Sequence, residues 1–143
     1  MDKNVIVSLV GLQINEGMEP DVMELVTEGT YIKKGKAHYI SYQESETTGM
    51  EGTTTTIKAS GDVLTLIRFG AVNSQFIFQQ GKKYLSHYDT GTGSFTVDIT
   101  ARNVEIEIGE HGGNIRLGYD MAINDGRRIF SDVIMEIRES ARE

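Results

Sequence analysis

Apolar residues recur at every second position in runs of six to ten between Val5 and Ile137, and glycine-bearing turns separate the runs. A period of two puts one face of each segment in a core and the other in water, so the chain reads as almost entirely antiparallel β. The first predicted strand runs from Val5 to Ile14, and Glu16–Pro20 turns the chain at its only proline. Over the next stretch two readings stay open. Val22, Glu24, Val26 and Glu28 alternate against Met23, Leu25 and Thr27 as in a strand, while Glu19-Pro20-Asp21 could also start a one-turn helix. Lys33-Lys34-Gly35-Lys36 is a hairpin turn in which glycine supplies a positive φ. The following strand spans Ala37 to Glu46, and the β-branched run Thr53–Ala59 suits a strand and little else. Further strands are predicted at Val63–Phe69, Gln75–Gln79, Lys83–Tyr88, Ser94–Ala101, Val104–Ile108, Asn114–Ile123 and Arg128–Arg138.

The last hairpin can be set by arithmetic. A three-residue loop Asn124-Asp125-Gly126 places Met121 opposite Ile129, Leu117 opposite Val133 and Ile115 opposite Met135. A two-residue Asp125-Gly126 loop would instead set Ile123 against Arg128. The apolar match selects the longer loop. Eight to ten strands joined by short connections leave a sandwich or an up-and-down barrel, and a barrel removes the unpaired edges. The expected fold is therefore all-β: one antiparallel β-barrel formed by residues 1–143 as a single domain.

Composition narrows the class of partner. A net charge of −7, with basic residues scattered in short pairs, disfavours nucleic acid and anionic membrane surfaces. No cysteine is present, which removes disulfides and thiol chemistry and suits a reducing compartment. The apolar stretch Val5–Leu12 follows Asp2 and Lys3, lacks a small-residue cleavage site and is too short to span a bilayer, so it reads as a strand and the protein as cytoplasmic.

Several stretches, taken in order, carry a resemblance. They are Thr27-Glu28-Gly29-Thr30-Tyr31, Tyr39–Glu46, Gly49–Thr55, Ile67-Arg68-Phe69-Gly70, Tyr88-Asp89-Thr90 and the late strand Gly113–Tyr119. At these spacings the chain resembles the YwiB-like family of small bacterial proteins of unknown function, over nearly its whole length. The resemblance implies a calycin-type barrel, akin in architecture to lipocalins and fatty-acid-binding proteins. It implies no activity, cofactor or catalytic residue. After Tyr88-Asp89-Thr90 a proline and an aromatic residue would be expected, and Gly91-Thr92-Gly93 stands there instead, which loosens that loop. The Gly-x-Trp signature of the ligand-carrying lipocalins is also missing.

Candidate chemistry concentrates around two charges. Arg68 shares a strand face with Leu64 and Leu66, and Glu44 shares one with Tyr42, Ile40 and His38. If these faces point inward, an unpaired charge in an apolar barrel costs several kcal/mol, so Arg68 and Glu44 must pair with each other or with Tyr42, Tyr88, Thr53 and Thr55. An inner arginine ringed by hydroxyls can hold a carboxylate through its guanidinium fork; a structural ion pair that fixes register is the plainer reading. His38, His87 and His111 are too scattered to be metal ligands, and neither Gly91-Thr92-Gly93-Ser94 nor the acid pairs Glu44/Glu46 and Glu105/Glu107 form a catalytic set. No catalytic residue, metal site or cofactor is assigned. In a barrel of eight-strand size the large residues from Phe95 onward should fill the C-terminal side, leaving any cavity near Glu44 and Arg68. The expected function is non-enzymatic binding of a small apolar or amphipathic molecule with an anionic group at Arg68, Glu44, Tyr42 and Tyr88. The alternative is a solidly packed barrel that works through its surface, as an interaction module or a homodimer.

Overall fold

A computed structural model describes residues 2–15, 17–46, 50–89, 93–109, 111–123 and 126–140, apart from the side chains of Asp2, Tyr88 and Arg127. Within these residues the chain forms ten strands and no α-helix: β1 (Asp2–Asn15), β2 (Asp21–Lys34), β3 (Ala37–Gln43), β4 (Thr53–Ser60), β5 (Val63–Gly70), β6 (Asn73–Gln79), β7 (Lys83–Asp89), β8 (Ser94–Gly109), β9 (Gly112–Ile123) and β10 (Arg127–Glu139). Each strand pairs antiparallel with its chain neighbours, and β1 closes the ring against β10. The result is a closed up-and-down barrel, joined most thinly at β6–β7, where only two residue pairs link the strands.

The open choice at residues 21–28 resolves as strand. β2 pairs with β1 from Gln13 opposite Asp21 through to Asp2 opposite Ile32. The reason is non-local: β1 already pairs with β10 on its other side, and its remaining backbone groups need partners that a short helix could not supply. The last hairpin has the register expected of its apolar residues, with Met121 opposite Ile129, Leu117 opposite Val133 and Ile115 opposite Met135. Loop residues 124 and 125 lie outside the described residues.

Two boundaries differ from the sequence reading. β3 ends at Gln43 instead of Glu46: the Glu44 amide still donates to the Thr53 carbonyl at 2.9 Å in the β3–β4 register, but the Thr53 amide donates to the Met50 carbonyl at 3.1 Å instead of returning the bond. Ser94–Ala101 and Val104–Ile108 are one strand, β8, which carries a bulge: Ala101 faces Tyr119, Asn103 faces Gly118, and Arg102 between them is the extra residue. The bulge shifts the inward side chains from odd positions (Val97, Ile99, Ala101) to even ones (Val104, Ile106, Ile108), keeping both sets on the core side. In sequence that change of parity looks like a strand break. Physically it allows a long strand to bend round the barrel.

The core is the inner face. Val5, Val7, Ile40, Phe78, Ile99 and Ile137 are almost wholly buried. The connections β1–β2, β3–β4, β5–β6, β7–β8 and β9–β10 lie at one end of the barrel. At the opposite end Tyr31 is buried, and its hydroxyl meets His38 Nδ1 at 2.6 Å. Burial and the nearby Lys33 charge hold the His38 imidazole below its usual range, consistent with a ring that accepts the phenol proton.

Candidate functional site

One inner rung collects the polar side chains. Reading across the sheet, Gly29 lies opposite Tyr42, Tyr42 opposite Thr55, Thr55 opposite Arg68, and Arg68 opposite Ser74. Hairpins of equal length place the first four at steps of thirteen residues. Ser74 in turn pairs with Tyr88 through the backbone; the Tyr88 side chain lies outside the described residues, so its expected place in the site is not described. Glu44 follows two residues after Tyr42, at the start of the β3–β4 connection. Gly70 makes that connection compact: at φ +127° it sits where an added Cβ would lie 2.3 Å from the Gly52 carbonyl oxygen.

Glu44 is held as a buried acceptor. The Thr55 hydroxyl donates to its Oε2, and the Tyr42 hydroxyl also hydrogen-bonds to it. Arg68 Nε stands 4.0 Å from the same oxygen, a charge contact and not a hydrogen bond. Glu44 Oε1, Arg68 Nε and Ser74 Oγ are buried without a hydrogen-bond partner among the described residues. The Glu44 side chain is 1% exposed and that of Arg68 17%, so Arg68 is the member of the pair that can be reached. Burial and the Glu44 charge push the Tyr42 phenol well above its usual range, with Arg68 pulling the other way. Tyr42 is therefore a fixed neutral donor.

The expected pairing of Arg68 with Glu44 and Tyr42 is thus assembled on the inside, and Thr55 joins it. Thr53 does not, because its hydroxyl accepts from the Val72 amide at 3.2 Å and ties the start of β4 to the β5–β6 turn. Ser74 was missed because the sequence reading began its strand at Gln75. The hairpin register that places it beside Arg68 could have found it.

Beside this rung lies a cavity of about 1100 Å³, bounded by Arg68, Tyr42 and Glu44 and by apolar side chains including Leu25, Ile57, Leu66, Phe76 and Phe78. Val97, Ile115, Leu117, Tyr119, Met121 and Met135 line it too, which corrects the expectation of a filled C-terminal side. Ten strands close a wider ring than eight, so side chains that would fill the smaller barrel only coat the larger one. Gln13, Asp21, Glu46, Met50 and Phe95 border the cavity at the end of the β1–β2, β3–β4 and β7–β8 connections, which makes that end its mouth. Among the described residues no group of three histidine, aspartate or glutamate side chains is placed to hold a metal ion.

The chain's sequence and fold have counterparts in known proteins. The uncharacterized β-barrel protein YwiB of Bacillus subtilis (strain 168) is 27% identical over 112 residues, 78% of this chain and 78% of YwiB. The crystal structure of the ywiB protein from Bacillus subtilis superposes with a TM-score of 0.86 at 20% identity, covering 98% of this chain and 94% of the other. The profile of a family described as a domain of unknown function (DUF1934) matches residues 7–137, nearly the whole barrel, and the chain belongs to that family.

Proposed function

We propose that the barrel is a non-enzymatic binding module of the calycin type, which takes in one apolar or amphipathic small molecule carrying an anionic group. Arg68 receives that group, Tyr42 and Glu44 hold Arg68 in place, and Tyr88 completes the rung. The supporting observation is the cavity. At about 1100 Å³ it is far larger than the roughly 10–15 Å³ that one water requires, and it matches or exceeds the roughly 300–1,000 Å³ of small-molecule pockets. Its walls are mostly apolar, and Arg68 is its one cation among the described residues. The absence of cysteine leads us to place this activity in the cytoplasm.

The test is native mass spectrometry of protein purified from its own host, followed by extraction of any bound molecule. A small acid that co-purifies with the wild type and is lost from Arg68→Leu supports the reading. A bare chain that also gains no thermal stability from a panel of medium- and long-chain acids overturns it.

A second reading, self-association, draws on the outer face of β10, β1 and β2. There Ile134 lies opposite Val10, Leu12 opposite Val22 and Ser8 opposite Val26, and Val10, Val22, Val26 and Ile134 are all exposed. β1 is paired along its length on both sides, so this patch can meet a second copy only face to face. Light scattering over a dilution series that shows only monomer would remove this reading.

A further inference from the structure

Arg68 is the only cation bordering the cavity among the described residues, and its charge is already matched by Glu44 at 4.0 Å. A ligand carboxylate docking on the guanidinium therefore brings a second negative charge to a station with one positive charge. Desolvation and like-charge repulsion both oppose that state. The other titratable groups of the lining do not relieve it. Asp21 on β2 and Glu46 in the β3–β4 connection are acids, Glu24 on β2 shares the outward parity of Val22 and Val26, and Tyr42 on β3 and Tyr119 on β9 are phenols.

Glu44 has a place for a proton. Its Oε2 takes the Thr55 hydrogen bond, whereas Oε1 is buried without a partner among the described residues. A proton on Oε1 would break no existing hydrogen bond.

We infer that the barrel takes up a carboxylate ligand together with one proton from solution, shared between the ligand carboxyl and Glu44. This rests on the binding function proposed above. With Arg68, Glu44, the ligand carboxyl and the added proton, the station is neutral. The proton belongs to the pair of carboxyls and not to either alone. Above the ligand's own titration range, each unit of pH then lowers its affinity about tenfold, because every binding event must draw a proton from a tenfold scarcer supply.

The probes are decanoate and its uncharged counterpart decanamide, titrated calorimetrically into the full chain near neutral pH in phosphate and in Tris, buffers with different heats of ionisation. Decanoate should bind with uptake of one proton, read from the difference in heat between the buffers, and its affinity should fall about tenfold per pH unit. Decanamide should bind with no uptake and no pH dependence. In Glu44→Gln the station needs no proton, so decanoate should bind more tightly near neutral pH, with zero uptake. A gain of affinity cannot come from misfolding, and the buffer comparison on the unaltered chain decides the matter even if this variant fails to fold. Decanoate binding with equal heats in both buffers and a flat pH profile would overturn the inference and leave the binding function standing. Failure of both probes to bind would overturn both.

Discussion

Tyr42 shows how one buried side chain acquires a measurable property. Its phenol sits inside the barrel, hydrogen-bonded to Glu44, with its ionisation pushed well above the ordinary value near 10. In the unfolded chain the same phenol titrates near 10. Below that pH both states are protonated and the contribution to stability is fully present. As pH rises past 10 the unfolded chain loses a proton that the folded one keeps, so stability falls. We expect Tyr42→Phe to flatten that alkaline decline in denaturant-melt stability relative to wild type. Thr55→Val tests the other donor: removing the hydroxyl leaves a buried carboxylate oxygen short of a hydrogen bond, and we expect a loss of about 1–3 kcal/mol in urea unfolding. An unchanged midpoint would mean that another donor replaces Thr55.

At the scale of elements, the bulge in β8 is held from outside the barrel. Arg102 Nε donates to Asp120 at 2.6 Å and its Nη2 to the Ser131 carbonyl at 3.1 Å, so the side chain lies across Gly118. A Cβ on Gly118 would come within 2.9 Å of Asp132 Oδ1 and 3.2 Å of Arg102 Nη1 and would displace the clamp. Arg102→Ala should cost about 1 kcal/mol, since the pair is partly exposed. Gly118→Ala should cost a similar amount, and the double variant little more than either, as a double-mutant cycle of chemical melts would show. The β6–β7 seam is the opposite case. These strands pair only at Asn73 with Asp89 and Ser74 with Tyr88, and the Tyr84 hydroxyl reaches Gln79 Oε1 across the remainder at 3.1 Å. Backbone amides along the seam should exchange with deuterium faster than those of the β1–β2 ladder, with equal protection counting against a weak seam. The strands themselves were legible because alternation is local. The bulge was misread because two runs of opposite parity look alike whether a turn or one extra residue divides them. The end of β3 was misread because Glu44 keeps the strand's alternation while the Thr53 amide opposite it answers to the Met50 carbonyl, a partner the pattern does not show.

For the whole molecule, barrel closure was legible and its hollowness was not. The sequence groups Arg68 with Leu64 and Leu66, and Glu44 with Tyr42 and Ile40, on one strand face each, and the structure turns both faces inward. Interior volume depends on how many strands join the ring, and that count turned on whether residues 21–28 and the β8 bulge were read correctly. Gly11 offers a way to alter the volume. A Cβ there would have as its nearest atoms Leu9 Cδ2 at 3.9 Å and Met23 Cε at 4.0 Å, ordinary contact distances beside the cavity. We expect Gly11→Val to raise the melting temperature, by about 0.5–1 kcal/mol of added stability, through lower unfolded-state freedom and better strand packing. The same variant should bind any acid more weakly, because the new side chain occupies ligand space. Higher affinity in that variant would place the ligand elsewhere.

Strand β1 lies beside β10, with Val5 opposite Glu139 and the Ser140 amide donating to the Asn4 carbonyl at 3.0 Å. The two ends of the barrel's strand series therefore meet at the sealed pole, away from the opening. A tether of a few residues could splice them, and the covalent path could then be cut at the exposed Gly61–Asp62 hairpin without altering the order of neighbours round the ring. Which strand comes first does not alter who sits beside whom, and a circularly permuted chain should close into the same vessel.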